Sequence, residues 1–227
     1  MLNLMLMLAL QGAPAIADVA VPDGSKLRAG SACYAIERSG KPIGKTWQRV
    51  RPAMEGDAPV WDVIVHQRVD DGRFDMRDHF VLRRADLTPI RMDSRRNGVE
   101  HVRVRYDGDA IEVSRPGQET SRFRSSGKLW DGNLWGLTFA ALPLAEGRTY
   151  SVPFFQYDKG MGRFALKVAG TVQVDGRAAW QVDVEAGGGE GRTVRYLIGK
   201  NPPDELGTES PMFGQRLGGD CGALIEP

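Results

Sequence analysis

Apolar and polar side chains alternate with a period of two along most of the chain from Ala32 to Ile198, and Gly, Asp and Asn interrupt them at short intervals. That is the pattern of half-buried antiparallel strands joined by tight turns. The clearest case runs from Trp61 to Val69, turns at Asp71-Gly72 and continues from Arg73 to Leu82. Asp-Gly readily takes positive φ, so a two-residue turn there is expected. The resulting register puts Trp61, Val63, Val65 and Val69 on the same face as Phe74, Met76, Phe80 and Leu82. It also aims Asp78 inward between Met76 and Phe80, where an unpaired carboxylate is costly. Pairing with an arginine, a polar part of a cavity, or a place beyond the core edge would each relieve that cost.

The same reasoning at Asp107-Gly108 pairs Val104 with Ile111 and Val102 with Val113, and sets Arg103 against Glu112 on the opposite face. At Asn97-Gly98 and Asp175-Gly176 a plain two-residue turn mismatches the apolar faces. A bulge or a three-residue loop is expected at both. Further strands are predicted near Cys33–Arg38, Lys45–Arg51, Glu119–Arg124, Arg148–Phe154, Phe164–Val174, Ala179–Glu185 and Thr193–Ile198. One stretch, Asp131 to Leu142, lacks alternation and places Leu134, Leu137, Thr138, Ala141 and Leu142 along a helical stripe. Asp131 or Asn133 would cap it and Pro143 would end it. The expected fold is mainly β: a single curled antiparallel sheet or half-open barrel of about ten or eleven strands, with one short helix against its concave face. No linker or fixed-period repeat divides it, so residues 31–227 read as one β domain preceded by an extension over 18–30.

The first seventeen residues hold no charged side chain and end Ala15-Ile16-Ala17, as a signal peptide cleaved by signal peptidase would. The apolar run is about half the roughly 20 residues needed to span a bilayer. A hydrophobic N-terminus on a cytosolic protein is the competing reading; export to the periplasm or beyond fits better. Gly30-Ser31-Ala32-Cys33 lacks the leucine and the adjoining hydrophobic run of a lipid-acylation site. The only two cysteines, Cys33 and Cys221, lie near opposite ends of the mature chain. In an oxidising compartment they read as one disulfide, closing a loop long enough to contribute ~4–5 kcal/mol by chain entropy; two buried thiols are the alternative. Without CxxC spacing they suggest neither zinc nor a redox centre.

The 227 residues carry 30 basic and 29 acidic side chains. That balance gives no support to nucleic-acid binding. Between Arg83 and Arg124, ten arginines outnumber seven acids, a modest basic face that a solvated sheet explains equally well. His66, His79 and His101 fall on polar faces among arginines, poor company for a dication, so no metal is expected. Ala186 to Thr193 approaches a phosphate-binding loop, but Ala replaces the first Gly, Arg192 the lysine, and a strand follows where a helix is required. No nucleophile motif stands in the sequence, and no cofactor is expected.

Several segments together resemble a known group. They are Tyr34 with Gly40-Lys41-Pro42-Ile43-Gly44, then Leu87-Thr88-Pro89, the run Leu142-Pro143-Leu144-Ala145-Glu146-Gly147-Arg148-Thr149-Tyr150-Ser151-Val152-Pro153, and Val194-Arg195-Tyr196-Leu197-Ile198. In this order they resemble a family of exported bacterial proteins of unknown function, similar in style to periplasmic lipoprotein-localisation factors, across most of residues 31–210. The resemblance implies a half-closed barrel around a helix with a cavity for acyl chains, and no catalytic residues. The residues that would line such a cavity are Trp61, Phe80, Trp130, Leu134, Trp135, Phe139, Phe154 and Phe155, with Asp158-Lys159-Gly160-Met161-Gly162 as a loop over its mouth. A fully packed core is the competing arrangement. The expected function is non-catalytic binding of a lipid-like or other apolar ligand. The alternatives are a cell-envelope protein–protein adaptor or a hydrolase with an unrecognised site.

Overall fold

The computed structural model describes residues 18–186, 193–211 and 213–224. The strands are β1 (Asp18–Val19), β2 (Gly30–Arg38), β3 (Lys41–Glu55), β4 (Ala58–Val69), β5 (Phe74–Arg83), β6 (Pro89–Arg96), β7 (Val99–Asp107), β8 (Ala110–Ser114) and β9 (Ser121–Arg124). After them come β10 (Trp130–Asp131), the helix α1 (Gly136–Ala140), β11 (Thr149–Gln156), β12 (Gly160–Val174), β13 (Arg177–Ala186), β14 (Thr193–Gly199), β15 (Glu205–Glu209) and β16 (Phe213–Leu217). All sixteen strands belong to one sheet. Two meanders, β2 to β9 and β11 to β16, join where β16 pairs antiparallel with β2. β1 and β10 add short parallel pairings to the edge of β11. The sheet is not closed by hydrogen bonds; Phe123 and Tyr106 reach across to Phe155 with ring centroids 5.1 and 6.3 Å apart.

The strand count exceeds the expected ten or eleven because β1 and β10 are only two residues long and β15 and β16 carry Gly and polar residues without clean alternation. The β4–β5 hairpin has the expected register: Val69 faces Phe74, Val65 faces Asp78 and Trp61 faces Leu82. Its turn is closed by the Arg73 N–H donating to the Asp70 carbonyl at 3.1 Å, with φ of 55° at Asp71 and 90° at Gly72, the mirror-image turn that suits strand twist. The β7–β8 register differs from expectation. Val104 faces Val113 and Arg105 faces Glu112, because Gly108, with φ 60°, takes the first turn position instead of the second. Apolar faces survive, since both strands shift by one residue. At Asn97-Gly98 and Asp175-Gly176 the turns are plain two-residue ones, and the irregularity sits farther along, between Ser94 and Arg95 and between Val168 and Gly170. In the first bulge His101 is the extra residue, edge-on to Tyr157.

The helix is shorter than its stripe predicts. Asp131 does not cap it; its carboxyl accepts instead from Tyr106 and from the backbone and side chain of Asn133. The segment 18–30 lies against the domain: Ala20 is buried, and the Trp61 Nε1–H donates to the Gly24 carbonyl at 3.0 Å. The loop expected over a cavity mouth is a tight turn, with Gln156 facing Gly160 and Gly162 inside β12 under the Phe154 ring. Residues 1–17 and most of the glycine-rich run, 187–192, lie outside the described residues.

Cys33 and Cys221 form a disulfide with Cα atoms 5.7 Å apart. It straps the C-terminal segment over the outer face, where Cys221 and Leu224 bury Trp47 and Ile64. His66 Nδ1 lies 3.2 Å from the Leu224 carbonyl oxygen, and Lys45 donates to the Asp220 carbonyl. Constraint of a loop with sequence separation 188 stabilises chiefly through the unfolded chain. Replacing both cysteines by serine is expected to lower unfolding free energy by about 2–5 kcal/mol in denaturant titration, with a red shift of Trp47 emission as the strap loosens. Unchanged stability and emission would show the strap to be idle.

Candidate functional site

Most of the residues expected to line a cavity fill the space instead. Trp61, Phe80, Trp130, Leu134, Phe139, Phe154 and Phe155 belong to the main core, and Phe80, Phe139 and Phe155 have no exposed surface at all. Phe164 stacks against Phe154, Phe139 and Trp135 at 4.1, 5.5 and 4.7 Å. A residue with every face in contact cannot also present a face to a ligand. Of the eight, Leu134 and half-buried Trp135 border open space beside α1.

That space is the more polar of two neighbouring pockets, the lobes of a cleft divided by Tyr34, Gln48 and Glu205, where α1 meets the inner face of β2, β3, β14 and β15. The polar lobe, about 190 Å³, is lined by Thr46, Gln48, Gln67, Asn133, Trp135 and Gln215 among others. The apolar lobe, also about 190 Å³, is lined by Leu27, Ala32, Val50, Leu137, Ala140 and Pro203 among others. Tyr34, Gln48 and Glu205 belong to both walls. The inner positions of β3 and β4 explain the division. They read Val50, Gln48, Thr46 along one strand and Val63, Val65, Gln67 along the next, apolar toward one end and amide-rich toward the other.

Glu205 is the residue that sequence reasoning missed. A register shift between Leu197 and Ile198 in the β14–β15 ladder sets it opposite the buried Ile198 and turns it inward. Its carboxyl abuts the start of α1 so closely that a Cβ on Gly136 would lie 1.7 Å from Oε2. The Tyr34 hydroxyl donates to the Glu205 backbone carbonyl at 3.2 Å. Burial pushes the carboxyl up to about 7, and its charge helps raise the Tyr34 and Tyr196 phenols, which burial already lifts well above their usual range. Nothing in the local pattern Pro202-Pro203-Asp204-Glu205-Leu206-Gly207 announces this, because the side chain acquires its surroundings from α1, almost seventy residues earlier.

The polar lining continues inward through Asn133 to Asp131 and Asp78. Asp131 is buried with its carboxyl raised by desolvation, against which the Asn133 and Tyr106 hydrogen bonds work. Asp78 points inward as expected and is 4% exposed. Burial lifts it to about 7, with Ser94 and Arg96 opposing and Asp131 reinforcing the rise. Its Oδ1 has no hydrogen-bond partner among the described residues, an arrangement that favours the protonated acid. Asp78 is thus buried inside the core edge, with Arg96 favouring its charged form.

The outer face is chemically quieter. His66 pairs with Asp75 and His79 with Asp62, each at 2.8 Å. Burial of Asp62 is outweighed by His79 and Arg51, which hold it below the usual carboxylate range. Among the described residues no cluster of three or more His, Cys, Asp or Glu gathers at metal-binding distances.

A family model described as "Protein of unknown function (DUF3108)" matches residues 33–208. No curated protein matches the chain. Among solved structures, the beta-barrel-like protein of domain of unknown function DUF1849 from Brucella abortus aligns at 12% identity over 88% of this chain and 95% of that chain, with a TM-score of 0.49.

Two outcomes follow from the buried acids. An acid whose folded-state pKa lies above its unfolded value of ~3.9 binds more protons when folded, so stability falls as pH rises from ~4 to about 7 and stays lower above that. Urea titrations of Asp78→Asn across this range should show a shallower fall than the wild type; parallel curves would mean that Asp78 ionises freely. Gly136→Ala should destabilise by about 1–3 kcal/mol through overpacking. The loss should shrink when Glu205 is also cut to Ala, whereas additive losses would mean that the two do not touch.

Proposed function

The chain belongs to the family described as protein of unknown function (DUF3108), and from that premise we propose that it is an exported, non-catalytic protein that binds an amphipathic ligand in the cleft between α1 and the sheet. The observation that carries the reading is the pairing of an apolar and a polar lobe across one shared wall of Tyr34, Gln48 and Glu205. Binding sites are typically concave and largely apolar, with a few convergent polar groups; the two lobes divide those properties between them. Each methylene transferred to the apolar lobe is worth about 0.8 kcal/mol before ordering costs. The volumes suit a head group with its adjoining chain segments rather than a whole acyl chain, because the packed aromatic core occupies the remaining interior.

Export rests on independent support. The Cys33–Cys221 bond is compatible with an oxidising compartment such as the periplasm. No helix among the described residues is long and apolar enough to cross a membrane.

Native mass spectrometry after gentle purification, followed by organic extraction, tests the proposal. One amphiphile per chain should be retained, and Ala32→Trp, which fills the apolar lobe from β2, should release it without lowering the melting temperature. A wild-type protein that retains nothing and takes up no added amphiphile would remove the reading.

A further inference from the structure

The polar lobe carries an acid without a matching base. Among the described residues no cationic side chain forms an ion pair with Glu205, although its neighbours Asp204 and Glu209 lie near Arg177 and Arg195. Its neighbour Asp204 takes Arg177, leaving Glu205 to face the cleft. The rings of Tyr34, Tyr196 and Trp135 share the lobe with it, and the amides of Gln48 and Gln67 complete the floor. The acid is held from two sides, by the Tyr34 hydroxyl on its backbone and by the Gly136 backbone against its carboxyl.

Such a chamber discriminates by charge. A phosphate, sulfate or carboxylate brought beside Glu205 would meet a like charge in a partly desolvated site, and such juxtapositions cost several kcal/mol. A neutral hydroxyl leaves the acid uncompensated. An ammonium group supplies the missing counter-ion and meets aromatic faces that attract cations. We propose that the polar lobe takes the ammonium end of an amphiphilic amine, with Glu205 as its counter-ion and the alkyl portion running into the apolar lobe. This assignment rests on the cleft being the binding site.

The test compares three probes of equal chain length below their micellar concentrations at pH 8: decyltrimethylammonium, decyl sulfate and decyl maltoside. Calorimetry or Trp135 emission reads their affinities. The ammonium probe should bind at least tenfold more tightly than the other two. Glu205→Gln should lower ammonium affinity at least tenfold and leave maltoside affinity within twofold. Sulfate or maltoside binding as well as ammonium, in competition with it, would overturn the ammonium assignment while leaving the cleft reading intact. Binding by none of the three would overturn both. Should Glu205→Gln melt far below the wild type, the three-probe ranking on the wild-type protein still decides, and Trp135→Leu, expected to weaken ammonium binding selectively, replaces it.

Discussion

Burial of the aromatic cluster that includes Trp130, Phe139, Phe154, Phe155 and Phe164 between the arms of one curled sheet is the interaction on which the remainder depends. Sixteen strands in a single sheet cannot lie flat against water on both sides, and twist alone would leave the concave face wet. The cluster removes that face from solvent at the open side, where β9 and β11 are not hydrogen-bonded and Phe123 and Tyr106 lean on Phe155 instead. With the core held there, α1 has one place to sit, against β14 and β15. Its first residue then closes upon Glu205. The cleft is what remains between a helix too short to cover the whole trough and strands whose inner positions turn from valine to glutamine.

The polar interior follows from the same geometry. Asp78, Asp131 and Glu205 are carboxyls that the sheet carries inward, and each is raised by loss of water. Their surroundings differ. Asp131 is tied down by Tyr106 and Asn133 and serves to join β7 to the approach to α1. Asp78 has Ser94 and Arg96 near it and an Oδ1 without a partner. Glu205 alone of the three borders the open cleft. A buried acid is a standing cost to the fold, so the one placed where a ligand can reach it is where function is most economically sought.

Much of the sheet was legible because its strands obey period two and its turns carry Asp-Gly or Asn-Gly. The β4–β5 register, the inward aim of Asp78 and the placing of His66 and His79 on the face opposite it could be read from spacing, whereas His101 falls in a bulge and meets Tyr157. What could not be read were features set by partners distant in sequence. Gly108 slid into the first turn position because either turn preserves the apolar faces, so pattern alone could not choose between them. The helical stripe was longer than α1 because Leu134 and Leu142 are buried by the core rather than by helical neighbours. The aromatic residues expected to line a cavity lie in or against the packed core, where Trp135, Phe139 and Phe154 meet Phe164. The open site lay at Tyr34, Gln48, Gln67 and Glu205. Gln67 did leave a mark, a polar residue interrupting the inward series Trp61, Val63, Val65 and Val69; Glu205 left none.

The account turns on Glu205 being a desolvated acid at the floor of an accessible cleft. The most direct measurement is the carbon-13 shift of its side-chain carboxyl followed through a pH titration, first free and then with decyltrimethylammonium present. The free protein should titrate at about 7, and the midpoint should fall when the ammonium ion occupies the lobe, since a nearby cation favours the carboxylate. A midpoint near the ordinary ~4.3 of a glutamate, unmoved by the ligand, would contradict the account.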